Sequence, residues 1–97
     1  MKIYLEKFGN LLISRQTGRE AFLALQSQLK DLQADEGLEL DFSGNITFSP
    51  SWGDEFLTPL LAEYGSRLLL TNTENLSVKT TIEFLEDIHK IHFNRTS

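Results

Sequence analysis

Cysteine is absent from the 97 residues. That excludes a disulfide framework, a thiolate metal site and a cysteine nucleophile, and it makes a reducing compartment the natural one. Long apolar runs are absent too. Nowhere do about 18 apolar residues follow one another, so no transmembrane helix is encoded. The opening MKIYLEKFG carries charges too closely spaced for a signal peptide. A soluble, cytoplasmic protein with no membrane partner is expected. Basic residues are few and scattered, nine Lys and Arg from Lys2 to Arg95, in a chain of net charge −5. Phosphate neutralisation needs a basic stripe, so nucleic acid is not an expected partner. There are only two prolines, Pro50 and Pro59.

What is present suits one α/β domain spanning 1–97. A chain of this length buries roughly 60 to 70% of its unfolded surface and supports one core without a staple. Lys2 to Phe8 alternates, Gly9-Asn10 follows, and Leu11, Leu12 and Ile13 resume an apolar run, the pattern of an antiparallel hairpin. Ser14 to Thr17 reads as an exit loop, and Thr17 with Glu20 as a capping box opening the first helix. Its stripe is Phe22, Leu25, Leu29 and Leu32. Leu38 to Phe42 alternates as a strand, with Glu39 and Asp41 opposite the leucines.

A turn over Ser43, Gly44 and Asn45 leads to a second helix starting at Ser49, Pro50 and Ser51. Pro50 suits a first helical turn, and Ser51 with Asp54 has capping-box spacing. Phe56, Leu57, Leu60, Leu61 and Tyr64 form its buried face and Gly65 its stop. Pro59 removes a hydrogen bond to the Glu55 carbonyl, predicting a kink or break near Glu55 to Thr58. Leu68 to Leu70 is a covered strand. A last helix over about Ser77 to Ile91 buries Val78, Ile82, Leu85 and Ile88, and the tail from Phe93 should fray. The predicted order is β-β-α-β-α-β-α, a mixed sheet of about four strands with about three helices.

Functional chemistry is expected where the Leu38 to Phe42 strand delivers the chain into the helix at Ser51, because free N–H groups and the helix dipole face outward there. Ser49 and Ser51 serve as caps, or one hydroxyl accepts a phosphoryl group held at the helix N-terminus. Asp41, Asp54 and Glu55 could in principle do acid–base work, but no nucleophile–base pair lies beside them in the sequence. Glu86, His89 and His92 share a helical face yet lack the further ligands a metal site needs, so no metal or cofactor is implied. Trp52 either closes over the core or stands exposed as an interface anchor with Phe48. Arg15 and Arg19 are exposed cations that could meet a phosphate or an acidic partner.

Several segments together resemble one family. Ser14-Arg15 with Gly18-Arg19, then Leu40-Asp41-Phe42-Ser43-Gly44, then Ser51-Trp52-Gly53-Asp54-Glu55-Phe56, then Asn72, are similar in order and spacing to the STAS-like domains of unknown function. The wider STAS superfamily includes anti-sigma factor antagonists, which bind a histidine-kinase-like ATPase and are released by phosphorylation of a serine at the start of the second helix. Ser51 falls at that place, although Ser49, Pro50 and Trp52 depart from the antagonists' pattern around it. The resemblance implies a STAS-like fold and a non-enzymatic regulatory module. Its partner would be such an ATPase or an anti-sigma-like regulator, bound through Ser43, Gly44, Phe48, Ser49, Ser51, Trp52, Asp54 and Glu55, with Arg15 and Arg19 nearby. The alternative is a sensor of a small anion or nucleotide at the Ser51 helix start.

Overall fold

A computed structural model describes residues 1–96. In order, the elements are β1 (Lys2–Tyr4), a 3-10 turn (Leu5–Phe8), β2 (Leu11–Leu12), α1 (Arg15–Leu29), β3 (Leu38–Asp41), β4 (Thr47–Phe48), α2 (Pro50–Tyr64), a second 3-10 turn (Gly65–Arg67), β5 (Leu68–Thr71), α3 (Leu76–His89) and β6 (Asn94–Thr96). Four strands form one sheet in the order β1-β3-β5-β6, and every neighbouring pair is parallel. Strands added in one direction through right-handed crossovers place all three helices on the same face. Burial agrees with that layering: Ile3, Leu38, Leu40, Leu68 and Leu70 are buried, whereas Lys2, Tyr4, Asn94 and Thr96 on the opposite face are exposed. Because the strand order never reverses, the sheet has no switch point between helices at which a ligand crevice would open.

The N-terminal hairpin expected from Gly9-Asn10 does not form. β1 pairs in parallel with β3, and β2 leaves the main sheet to pair in parallel with β4, Leu11 opposite Thr47 and Leu12 opposite Phe48. The reason lies between them. Leu5 is fully buried, and the Phe8 ring must reach Trp52 and Phe56, at centroid distances of 6.0 and 5.4 Å. In a strand, residues three apart point to opposite faces, whereas a 3-10 turn eclipses them, so the chain coils to bring both side chains inward.

Other expectations shift at element ends. α1 starts earlier than the Thr17 box would place it: Ser14 Oγ accepts from the Thr17 N–H at 3.2 Å and is the cap. α2 is capped by Ser49, whose Oγ accepts from the Trp52 N–H at 3.4 Å, with Pro50 at its first position. Asp54 does not close a box on Ser51. The break expected near Glu55 to Thr58 is also absent. α2 is continuous from Pro50 to Tyr64 through Pro59, with Phe56, Leu57 and Leu60 buried around the proline. Gly65 stops it at φ +55°. Ile88 is exposed rather than buried, because α3 turns Val78, Thr81, Ile82 and Leu85 inward. The tail does not fray over Phe93 to Thr96, Ser97 lying outside the described residues: Phe93 is fully buried, its N–H donates to Glu86 Oε2 at 2.9 Å, and Asn94–Thr96 extends the sheet beside β5.

One aromatic cluster joins the helices to the short strands. The Trp52 ring lies 4.7 Å from Phe56, 5.6 Å from Phe48 and 6.0 Å from Phe8, and Phe48 meets Phe42 edge-on at 5.2 Å. Trp52 and Phe48 are 1% and 3% exposed, so both expected interface anchors are core residues. α1 approaches this cluster backbone to backbone at Gly18, where an added Cβ would stand 2.9 Å from the Trp52 Cα. Only glycine fits that contact. Trp52→Ala should therefore cost about 3–5 kcal/mol by opening a cavity, and Gly18→Ala about 1–3 kcal/mol by forcing α1 off α2. Urea unfolding followed by circular dichroism checks both, and unchanged midpoints would contradict this packing.

Candidate functional site

The surface at the start of α2 is assembled from three segments. β2 brings Leu11 and Ile13, β4 brings Thr47, and the helix brings Ser49 and Ser51. β4 is pinned on both sides. Toward β2, the Thr47 N–H donates to the Asn10 carbonyl at 2.8 Å and the Ser49 N–H to the Leu12 carbonyl at 3.0 Å. Toward α3, Asn75 Nδ2 donates to the Ile46 carbonyl at 2.7 Å, the Phe48 N–H donates to Ser77 Oγ at 3.1 Å, and Thr81 Oγ1 donates to the Phe48 carbonyl at 3.0 Å. Ser49 Oγ also donates to the Ile13 carbonyl at 2.8 Å, so β2 and the helix cap are one unit.

That pinning leaves apolar side chains outside. Leu12 and Phe48 point into the core, while Leu11 and Ile13 are 65% and 50% exposed. In this ladder Asn10 and Leu12 supply the carbonyls, and the parallel pattern turns the Leu11 N–H and C=O to the outer edge. Ser51, in the first turn of α2, is exposed and makes no side-chain hydrogen bond among the described residues. Gly44 lies beside the Glu6 carboxylate at φ +102°, a backbone conformation that residues with a side chain rarely adopt.

Behind Ser51 a charge cluster ties the helices together. Arg15 Nη1 reaches Glu55 Oε2 at 2.6 Å and Asp54 Oδ2 at 3.3 Å, from the first turn of α1 to the first turns of α2. Asp54 Oδ1 also accepts from Thr58 Oγ1 at 2.9 Å and lies 2.8 Å from His89 Nε2 at the end of α3. Burial opposes the Asp54 charge, but His89, Thr58 and Arg15 together hold its pKa below the ordinary value. Arg19, one turn after Arg15, is exposed and forms no ion pair among the described residues.

Asp41 is committed elsewhere. At the end of β3 it is 3% exposed, and its Oδ1 accepts from the Ser43 N–H at 2.8 Å and from Asn72 Nδ2 at 2.9 Å. Lys2 Nζ stands 3.4 Å from Oδ2. Burial works against the carboxylate, yet the hydrogen bonds from Asn72 and Ser43 and the Lys2 ammonium outweigh it and hold its pKa at about 2. Asn72 is itself held at φ +55° to make this contact.

The structure therefore brings Arg15, Asp54 and Glu55 together, with Ser49 and Ser51 on the same helix start, and joins His89 to them. Asp41 shares no bonding partner with Asp54 or Glu55, so the three carboxylates do not form one group. Ser43 and Gly44 are exposed in the turn after β3. Among the described residues no three His, Cys, Asp or Glu side chains converge as a metal site would need, and no helix is long and apolar enough to cross a membrane. Sequence reasoning missed Leu11 and Ile13, because the hairpin reading gave them a partner strand on the wrong side. The missed signal was an apolar triplet of which one face alone could be covered. No protein-family model, no curated protein and no solved structure matches the chain.

Asp41 sets a pH expectation. Its folded pKa lies below its ordinary value, so its stabilisation is complete above 3.8 and is lost as pH falls toward about 2. Thermal melts in that window should show stability falling with acid in the native chain, and a shallower fall in Asp41→Asn. An equal slope in both would mean that Asp41 is not held charged by these partners.

Proposed function

We propose that the chain is a non-enzymatic regulatory module of the STAS-like type that binds a protein partner through the β2 edge and the start of α2. The single observation that carries this reading is the exposure of Leu11 and Ile13 on a short, rigidly pinned edge strand hydrogen-bonded to the cap of that helix. Exposed apolar residues on a strand with outward main-chain groups are what a partner's extended segment or apolar face would cover. Ser43, Gly44, Ser49, Ser51, Asp54, Glu55, Arg15 and Arg19 form the polar surround. Phe48 and Trp52 act from beneath, shaping the platform without touching the partner.

A histidine-kinase-like ATPase or an anti-sigma-like regulator is the partner class this reading favours, and that choice rests on the resemblance in the motifs. Control by Ser51 phosphorylation has a physical route. Ser51 and Glu55 are one helical turn apart, and Glu55 holds Arg15. A phosphoryl group on Ser51 would add about two negative charges beside that pair, compete for the guanidinium and place charge against the apolar edge.

Leu11→Asp with Ile13→Asp should abolish capture of a cellular protein by the tagged chain while leaving its melting temperature nearly unchanged, since both side chains are exposed. Incubation with a captured kinase and labelled ATP should label Ser51, and Ser51→Ala should remove the label without weakening capture. Undiminished capture by the double variant would refute the docking surface; labelling that persists in Ser51→Ala would refute the switch.

A further inference from the structure

α3 carries an apolar stripe that the fold leaves uncovered. Among the described residues seven large apolar side chains stand exposed, and three of them, Leu76, Phe84 and Ile88, fall on this one helix at 78%, 47% and 49% exposure. With the exposed Thr80 they recur every four residues, so they form a single ridge, apart from the inward face of Val78, Thr81, Ile82 and Leu85. The neighbouring ridge is charged. Lys79, Glu83 and Asp87 are exposed and also recur every four residues. Among the described residues Lys79 and Glu83 form no ion pair, and Asp87 reaches only Lys90, at 3.9 Å.

Two features decide what covers the stripe. The apolar ridge is symmetric about the level of Ile82. Run antiparallel against a second copy of itself, it sets Leu76 against Ile88 and the smaller Thr80 against the large Phe84. The charged ridge has a direction, with its cation toward the helix start and its two carboxylates toward the helix end. A two-fold axis keeps equivalent flanks together and reverses their direction, so Lys79 of each copy comes beside Glu83 and Asp87 of the other. Parallel pairing would instead set like charges against each other. We propose that α3 is a homodimerisation surface, on which two copies of this chain pack their α3 ridges antiparallel about a two-fold axis at the level of Ile82. Ridges spaced by four on both helices interdigitate at a crossing angle of about −50°. Three turns of helix per copy make a small interface beside the roughly 1,200–2,000 Å² of a stable complex, so the dimer is reversible and concentration dependent. α3 also pins β4 through Ser77 and Thr81. Each dimer therefore carries two copies of the β2–β4 edge.

The test is sedimentation velocity of the full chain over a range of concentrations, with melting temperatures as a check on folding. A monomer–dimer equilibrium is expected. Leu76→Asp and Phe84→Asp should each raise its dissociation constant at least about tenfold, and Leu76→Asp should leave the melting temperature nearly unchanged, because that side chain is the most exposed of the three. Lys79→Glu should raise the constant about threefold. Because the chain has no cysteine, oxidation reads the orientation directly. Leu76→Cys and Ile88→Cys lie about 18 Å apart along the helix, so a mixture of the two variants should give a disulfide-linked dimer and neither variant alone should. A chain that stays monomeric at every concentration, or a dissociation constant unchanged in both Leu76→Asp and Phe84→Asp, would overturn the proposal. Linking of either cysteine variant with itself, but not of the mixture, would overturn the antiparallel pairing. A monomeric chain whose capture of a cellular protein is lost in Leu76→Asp would assign the stripe to that protein instead. The Leu11→Asp, Ile13→Asp chain should dimerise as the native chain does, so failure at one surface leaves the other standing.

Discussion

The contact on which the rest depends is the seat of Trp52. Its backbone lies against Gly18 of α1, and its ring meets Phe8, Phe48 and Phe56, so one residue joins two helices, a 3-10 turn and a short strand. A large ring in such a site contributes through buried area and through its tilted contacts with three other rings. Two consequences follow for local structure. Phe8 must turn inward, which ends β1 and coils Leu5–Phe8. Phe48 must lie over the ring, which fixes β4 beside the α2 cap. The small parallel pair β2–β4 thus rests on the aromatic cluster rather than on the main sheet.

That arrangement explains why the surface above it can be both apolar and ordered. Two-residue strands have little pairing energy of their own, and β4 holds its place because Asn75, Ser77 and Thr81 of the α3 start satisfy its second edge. Asp54 performs the same service for charge, gathering Arg15, Thr58 and His89 so that the ends of all three helices are tied at one point. The proposed docking surface therefore sits on a rigid base. A rigid base limits the ordering cost of binding. It also means that a charge added at Ser51 would act on preset neighbours rather than on a loop free to yield.

Much of this fold was legible in the residues. The stripes Phe56, Leu57, Leu60 and Val78, Ile82, Leu85 marked two helices by period, the Leu68–Leu70 run marked a strand, and Ser49-Pro50 marked a helix start. Other features were not legible, for physical reasons. Gly9-Asn10 carries a local hairpin signal that the demand to bury Phe8 beside Trp52 overrides. Ser14 and Thr17 are equally good caps, and the close approach at Gly18 accompanies the earlier one. Asn94, Arg95 and Thr96 have no apolar alternation, because this edge strand, with its half-buried Arg95, is held by main-chain bonds and by Glu86. At the candidate site the motif around Ser51 was visible, whereas the exposure of Leu11 and Ile13 depends on a strand pairing no local pattern encodes. The inward turn of Trp52 was one of two readings that the sequence left open.

Trp52 is the chain's one tryptophan, so its fluorescence reports on this seat alone. The direct measurement is its emission maximum and its quenching by acrylamide and iodide, with and without a bound partner. The account predicts a blue-shifted emission, poorly quenched, and unchanged when a partner covers the β2 edge. A water-like emission that is readily quenched in the free chain and protected on binding would make Trp52 the interface anchor, and would remove the base on which the proposed surface rests.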